Sequence, residues 1–314
     1  MSIPEPLSNS RARAATAAAG TGRAQSWSSV FTTSRDGLQL HLRDHRPEGA
    51  GSALPLVCLA GLTRTSADFD DLAAHEARYA RTRRRVLAID YRGRGLSERD
   101  SNWRNYHPRI EAADVLDQLA AAGIAHAAFL GTSRGAIVMT AIAAMRPALI
   151  RAAIINDIGP VIDGLGLARI RQSVGKLPRP ASYAEAASLL RQMSDQQFPA
   201  LSASDWLVMA MRTWKAENGA LVPDYDPNLR HELSALDLEK PLPEFWTSFA
   251  GFNDIPLMSI RGSRSDIFSA ATQAEMARRH KRCTVYVAED QGHAPLLADP
   301  ASHIAIEVFL EGCA

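Results

Sequence analysis

Gly131-Thr132-Ser133-Arg134-Gly135 sets a serine between glycines where a short apolar run, Ala127 to Leu130, gives way to a helical stretch from Arg134 to Met145. A strand-to-helix turn this tight forces its central residue into a strained backbone conformation. The small neighbours two positions away on either side let the chain pass close to itself, so the Ser133 hydroxyl stands free at a helix N-terminus. The chemistry open to such a serine is nucleophilic attack, and a hydroxyl is a feeble nucleophile until a base accepts its proton. Of the nine histidines, only His293, in Gln291-Gly292-His293-Ala294-Pro295, follows an expected core strand, Thr284 to Ala288. That places it on the same rim of a sheet as the serine.

The imidazole in turn needs a carboxylate to fix its tautomer and to stabilise the imidazolium. Asp266 follows the apolar run 256–261 through Gly262-Ser263-Arg264-Ser265 and is the expected acid; Asp157, directly after the run Leu149 to Ile155, also reaches the rim and is the alternative. Attack on a carbonyl puts negative charge on its oxygen, which backbone amides can hold. One expected donor is the amide of Arg134, the other that of Leu62 in the sharp turn Gly61-Leu62-Thr63 after the buried run Leu54 to Leu59.

The elements that must position these residues alternate. Ser29 to Thr33 and Leu38 to Asp44 read as a hairpin about Asp36-Gly37. Leu54 to Leu59, Arg85 to Ile89, Ala127 to Leu130, Leu149 to Ile155, the run 256–261 and Thr284 to Ala288 read as strands. Helical stretches separate them: Phe69 to Arg81, Pro108 to Ala122, Arg134 to Met145, Ser269 to Arg279 and Pro300 to Leu310. Strands alternating with helices imply a mostly parallel sheet covered on both faces, with ligands at the carboxyl ends of the strands. The rhythm breaks over 157–251, which holds no convincing strand and shows helical windows at 164–175, 183–194, 203–215 and 243–250. An insertion that long is no ordinary connection. The expected organisation is a disordered tail over 1–27, a core formed by 28–156 and 252–314, and a helical lid over 157–251.

Composition narrows the partners. Against 34 Asp+Glu the chain carries 35 Lys+Arg, a formal net charge of +1, and so lacks the basic excess that holds nucleic acid. Three scattered cysteines, Cys58, Cys283 and Cys313, form neither a disulfide framework nor a zinc site, and point to a reducing, cytoplasmic setting. The segment Met1 to Gln25 carries Arg11, Arg13 and Arg23 but no apolar core of a secretory signal, and no run of 18 apolar residues offers a membrane span. No metal site or cofactor is expected.

The chain resembles the α/β-hydrolase superfamily, in its lid-bearing branch of carboxylesterases, enol-lactonases and meta-cleavage-product C–C hydrolases. The resemblance covers nearly everything from Ser28 to Ala314. Its carriers are Leu59-Ala60-Gly61-Leu62, Asp90-Tyr91-Arg92-Gly93-Arg94-Gly95-Leu96-Ser97, the sequence around Ser133, Ser265-Asp266 and Gly292-His293. It implies Ser133 as nucleophile, His293 as base, Asp266 as acid, and the Leu62 and Arg134 amides as oxyanion hole. Ala60 stands where many relatives have histidine. Arg134 stands where an apolar residue or Gln is usual; its side chain could clamp a substrate carboxylate or pair with Asp157 or another rim acid. The insertion holds Trp206, Trp214 and Trp246, which are either lid core or substrate contacts. The implied activity is cofactor-independent hydrolysis of a small or medium ester or lactone through an acyl-enzyme. C–C bond hydrolysis of a β-diketone-like compound is the alternative, and a non-catalytic ligand-binding protein the alternative of another class.

Overall fold

The computed structural model describes residues 27–49, 53–234, 237, 240 and 242–313. Apart from Trp27, the expected tail lies outside the described residues. In chain order the elements are β1 (Ser28–Thr33), β2 (Gln39–His45), β3 (Leu56–Leu59), α1 (Asp70–Ala74), β4 (Val86–Ile89), α2 (Pro108–Ala121), β5 (Ala127–Thr132), α3 (Arg134–Met145) and β6 (Ile150–Asn156). Next come α4 (Gly164–Ser173), α5 (Tyr183–Ser194), α6 (Ala203–Met211), β7 (Trp214–Glu217), β8 (Ala220–Pro223), α7 (Arg230–Ser234) and α8 (Trp246–Phe249). The chain then returns to the sheet with β9 (Leu257–Gly262), α9 (Ala270–Arg279), β10 (Cys283–Ala288) and α10 (Pro300–Glu311).

Eight strands form one sheet in the order β1-β2-β4-β3-β5-β6-β9-β10. β1 and β2 are antiparallel, and β2 meets β4 antiparallel; from β4 to β10 every pairing is parallel. Strands buried on both faces need not alternate, and Leu56–Leu59 and Val86–Ile89 are buried at every position. Two apolar layers result. One joins Leu59, Ile89 and Phe129 to Val115 of α2 and Met139 of α3. The other joins Cys58, Ala88 and Leu130 to Leu72 of α1 and Ile306 of α10. Helix starts follow local chemistry: Pro108 and Pro300 occupy first-turn positions, and the Asp299 side chain accepts the Ser302 amide. The expected helix Phe69 to Arg81 is shorter, since α1 gives way to a wide turn over His75–Tyr79.

The insertion between β6 and β9 is not all helical. The expected window 203–215 ends at Met211, and β7 and β8 form a hairpin. Asn218 and Gly219 take positive φ, 51° and 79°, at its tip. An Asn-Gly pair favours this mirror-image turn. The insertion has a core of its own around Trp206, Trp214 and Phe198. It is also stitched to the sheet rim by backbone. Gly95 N–H donates to Asp224 O (3.1 Å), Asp226 N–H donates to Gly93 O (2.7 Å), and Arg94 bridges Tyr225 antiparallel. Gly93 (φ 74°) has no room for a Cβ, which would lie 2.7 Å from the Tyr106 hydroxyl; that hydroxyl donates to Asp226 Oδ2 at 2.5 Å.

Candidate active site

Ser133 sits between β5 and α3 at φ 51°, ψ −116°, a conformation sterically costly for a residue with a Cβ. Its amide donates to Asn156 O and its carbonyl accepts the Ala136 amide, both at 2.9 Å. The flanking glycines are required by crowding. A Cβ on Gly131 would come within 2.5 Å of the Ala136 nitrogen, and one on Gly135 would collide with the Leu59 carbonyl oxygen. The elbow is therefore wedged against the end of β3, where the Gly61 turn begins.

His293 Nε2 lies 2.9 Å from Ser133 Oγ, and His293 Nδ1 lies 2.8 Å from Asp157 Oδ2. Asp157 directly follows β6, is fully buried and takes φ 57°. Its Oδ1 accepts the Gly262 amide and its Oδ2 accepts the Ser265 hydroxyl, each at 2.7 Å. An ionised carboxylate only accepts, so the imidazole proton belongs on Nδ1 and the Nε2 lone pair faces the serine hydroxyl. The arrangement can take a proton from Ser133 while stabilising the charge that this creates on the ring.

Asp266, the expected acid, does not meet His293. Its carboxylate accepts Arg169 Nε at 2.6 Å and Nη2 at 2.9 Å, a bidentate pair with α4. The Ser265 hydroxyl explains this: it takes the amides of Ile267 and Phe268 while donating to Asp157, and the resulting turn directs Asp266 toward the insertion. Burial works against ionisation of Asp266, but the Arg169 guanidinium prevails and holds its carboxyl below the usual carboxylate value. The acid in contact with the imidazole is thus Asp157, the alternative.

Two residues overlooked in the sequence complete the assembly. One is Ser265; the other is Asn156, whose Nδ2 donates to Thr132 Oγ1 (3.1 Å) and Pro295 O (3.0 Å), tying the elbow strand to the histidine loop. A polar amide in a strand of apolar residues was the available signal, because a buried amide requires partners.

Arg134 is buried and fully paired. Its Nε donates to Glu111 (2.8 Å), its Nη2 to Tyr106 O (2.9 Å), and its Nη1 lies 2.6 Å from Glu232 of α7. Of the two expectations the ion pair holds, with Glu111 and Glu232 rather than Asp157. The tryptophans are taken up by packing contacts. Trp206 and Trp214 are buried in the core of the insertion, with Trp214 Nε1 donating to Pro178 O, and Trp246 lies edge-on to Phe249 beneath the Arg279 guanidinium. These aromatics answer to packing, and spacing alone did not reveal which way each face turned. A cavity of about 650 Å³ runs along α3 among Ile137, Met145, Ile158 and Phe245, but Ser133, His293 and Asp157 do not line it. The hydrogen-bonded trio, rather than cavity size, marks the chemistry. Among the described residues no group of three or more His, Cys, Asp or Glu could hold a metal ion, and no helix is long and apolar enough to cross a membrane.

Residues 56–302 match the protein family described as the alpha/beta hydrolase family. A 3-hydroxybutyrate-oligomer hydrolase of Cupriavidus necator is 28% identical over 269 residues, 82% of this chain and 88% of that protein. A crystal structure of an alpha/beta hydrolase from Novosphingobium aromaticivorans superposes with a TM-score of 0.82 at 34% identity, covering 92% of this chain and 99% of the other. E-2-(acetamidomethylene)succinate hydrolase shares the fold, with a TM-score of 0.71 at 22% identity over 91% of this chain and 99% of that one.

Proposed function

This chain belongs to the alpha/beta hydrolase family, and we propose that within it the protein is a serine hydrolase cleaving a small or medium carboxylic ester or lactone through an acyl-enzyme. The observation that carries this is the unbroken line from Ser133 Oγ through His293 to the buried carboxylate of Asp157. His293 Nε2 takes the hydroxyl proton as Ser133 Oγ attacks the carbonyl carbon, and the amides of Leu62 and Arg134 hold the oxyanion. Collapse expels the alcohol, which leaves with the proton from Nε2. Water, deprotonated by the same nitrogen, then releases the carboxylic acid and restores Ser133. The insertion acts as a cap that shapes the acyl and alcohol subsites.

Similarity to a protein named for hydrolysing 3-hydroxybutyrate oligomers favours an oxyester, since oligomers of a hydroxy acid are ester-linked. The test is Ser133→Ala against p-nitrophenyl butyrate, with a vinylogous diketone as the competing substrate. The expected outcome is ester turnover that falls by roughly 10³-fold or more in the variant, no diketone cleavage by either protein, and fluorophosphonate labelling of wild type alone. An alanine variant with full esterase turnover refutes the proposal.

A further inference from the structure

Behind the elbow, two guanidiniums converge on one fully buried carboxylate. Glu111 of α2 has Oε1 2.6 Å from Arg94 Nη1 and Oε2 2.8 Å from Arg134 Nε. Arg94 is itself without side-chain exposure, and its Nε donates to the Leu62 carbonyl oxygen at 2.9 Å. The two arginines are therefore attached to the two segments that would hold the oxyanion. Arg134 carries one amide in its own backbone, and Arg94 pins the Leu62 residue that carries the other.

Stability does not account for such a cluster. Withdrawing ions from water costs several kcal/mol each, and apolar residues of equal volume often do as well. Burial drags the Arg94 guanidinium below its usual value, and it raises the Glu232 carboxyl against the pull of Arg134. Two cations and two carboxylates nevertheless balance, with Glu232 supplying the fourth charge from the insertion, 2.6 Å from Arg134 Nη1. What such a quartet provides is orientation. Guanidiniums bridged by one carboxylate, each also bonded to main chain, have few alternative geometries, and an oxyanion site loses rate when its donors drift.

We propose that Glu111 is a positioning residue for the oxyanion site: through Arg94 and Arg134 it fixes the Leu62 and Arg134 segments relative to each other, and Glu232 completes the network from the insertion. The inference rests on the ester-hydrolase reading above. Its clearest probe is Arg134→Met, because every such side-chain change leaves the Arg134 backbone amide in place and removes only the tether.

The experiment measures kcat and KM on p-nitrophenyl butyrate, together with the affinity of an alkyl trifluoromethyl ketone, whose tetrahedral adduct needs the oxyanion donors. Arg134→Met is expected to lower kcat about 30-fold with KM within about threefold, ketone affinity falling in parallel and Arg134→Lys recovering part of the loss. Glu232→Gln, at the partly exposed end of the network, is expected to show the same pattern at about fivefold and decides the matter should Arg134→Met fail to fold. A merely structural network would lower the melting temperature and leave kcat and ketone affinity alone. If both variants keep wild-type kcat and ketone affinity while Ser133→Ala is inactive, the positioning role is overturned and the triad stands. If Ser133→Ala is active, both fall.

Discussion

Asp157→Asn keeps the volume of the buried acid and changes what one of its atoms can do. The amide oxygen can still accept the Gly262 amide, where the carboxylate now does so at 2.7 Å. The NH₂ group then occupies the Oδ2 position, 2.8 Å from His293 Nδ1 and 2.7 Å from Ser265 Oγ. An amide nitrogen only donates, so the ring must present its lone pair at Nδ1 and its proton at Nε2, toward Ser133. A protonated Nε2 takes no proton from the hydroxyl, and the charge that would have stabilised the imidazolium is gone. The expected loss is about 10⁴-fold in kcat, or about 5 kcal/mol at 1.36 kcal/mol per tenfold. Asp266→Asn is the control. That carboxylate is a third exposed and bonded to Arg169, a pairing worth about 1 kcal/mol or less, so kcat should stay within about threefold. Initial rates on p-nitrophenyl acetate, with active-site titration by a fluorophosphonate to correct for misfolded protein, measure both. Retention of more than about a tenth of the activity by Asp157→Asn, or its collapse in Asp266→Asn, would refute the reasoning.

Other outcomes follow from the same geometry. Gly135→Ala should lower stability by about 3 kcal/mol and remove activity together, because a Cβ there meets the Leu59 carbonyl oxygen and neither backbone has room to yield; urea unfolding checks the first and ester turnover the second. His45 is buried, neither ring nitrogen has a hydrogen-bond partner among the described residues, and burial with the nearby Arg43 charge pushes its pKa down to about 4. The unfolded chain takes this proton at about pH 6.5. Stability from His45 is therefore complete above that pH and is lost as pH falls toward 4, by about 3 kcal/mol in all. Unfolding free energies measured from pH 7 to pH 4 should show that slope, and His45→Met should flatten it.

The parallel part of the sheet was legible because β3, β4 and β5 are apolar runs that give way to Ala60-Gly61, Asp90 and Gly131, and strand ends in a parallel sheet all open on one rim. Ser133 and His293 each follow one such end, so position along the chain nearly determines position in space. The acid was harder for a specific reason. Asp157 and Asp266 follow β6 and β9, which are neighbours paired Asn156 to Ile260, so both carboxylates start from the same part of the rim. What separates them is the positive φ of Asp157 and the hydroxyl of Ser265, and both are local conformations that residue order does not display. The expected helical window 203–215 covers only Trp214 and Lys215 of the β7–β8 hairpin, and the rest of it lies in a stretch with no expected element. Its Asn218-Gly219 turn is a readable hairpin signal that the sequence reading did not use. Glu111 could not be read from its own segment at all, since its partners Arg94 and Arg134 come from the Gly93–Gly95 turn and from the first turn of α3.

The stitching of residues 224–226 to the Gly93–Gly95 turn makes the two flanks of the insertion unequal. One flank is sewn down by main-chain bonds that do not respond to salt. The other, at α4, has a single such bond among the described residues, from the Asp163 amide to Ile267 O at 2.9 Å, and adds the Arg169–Asp266 pair, whose side chains are 41% and 33% exposed and which weakens as ionic strength rises. Added salt should therefore loosen the ion pair at α4 and leave the main-chain seam at residues 224–226 as it is.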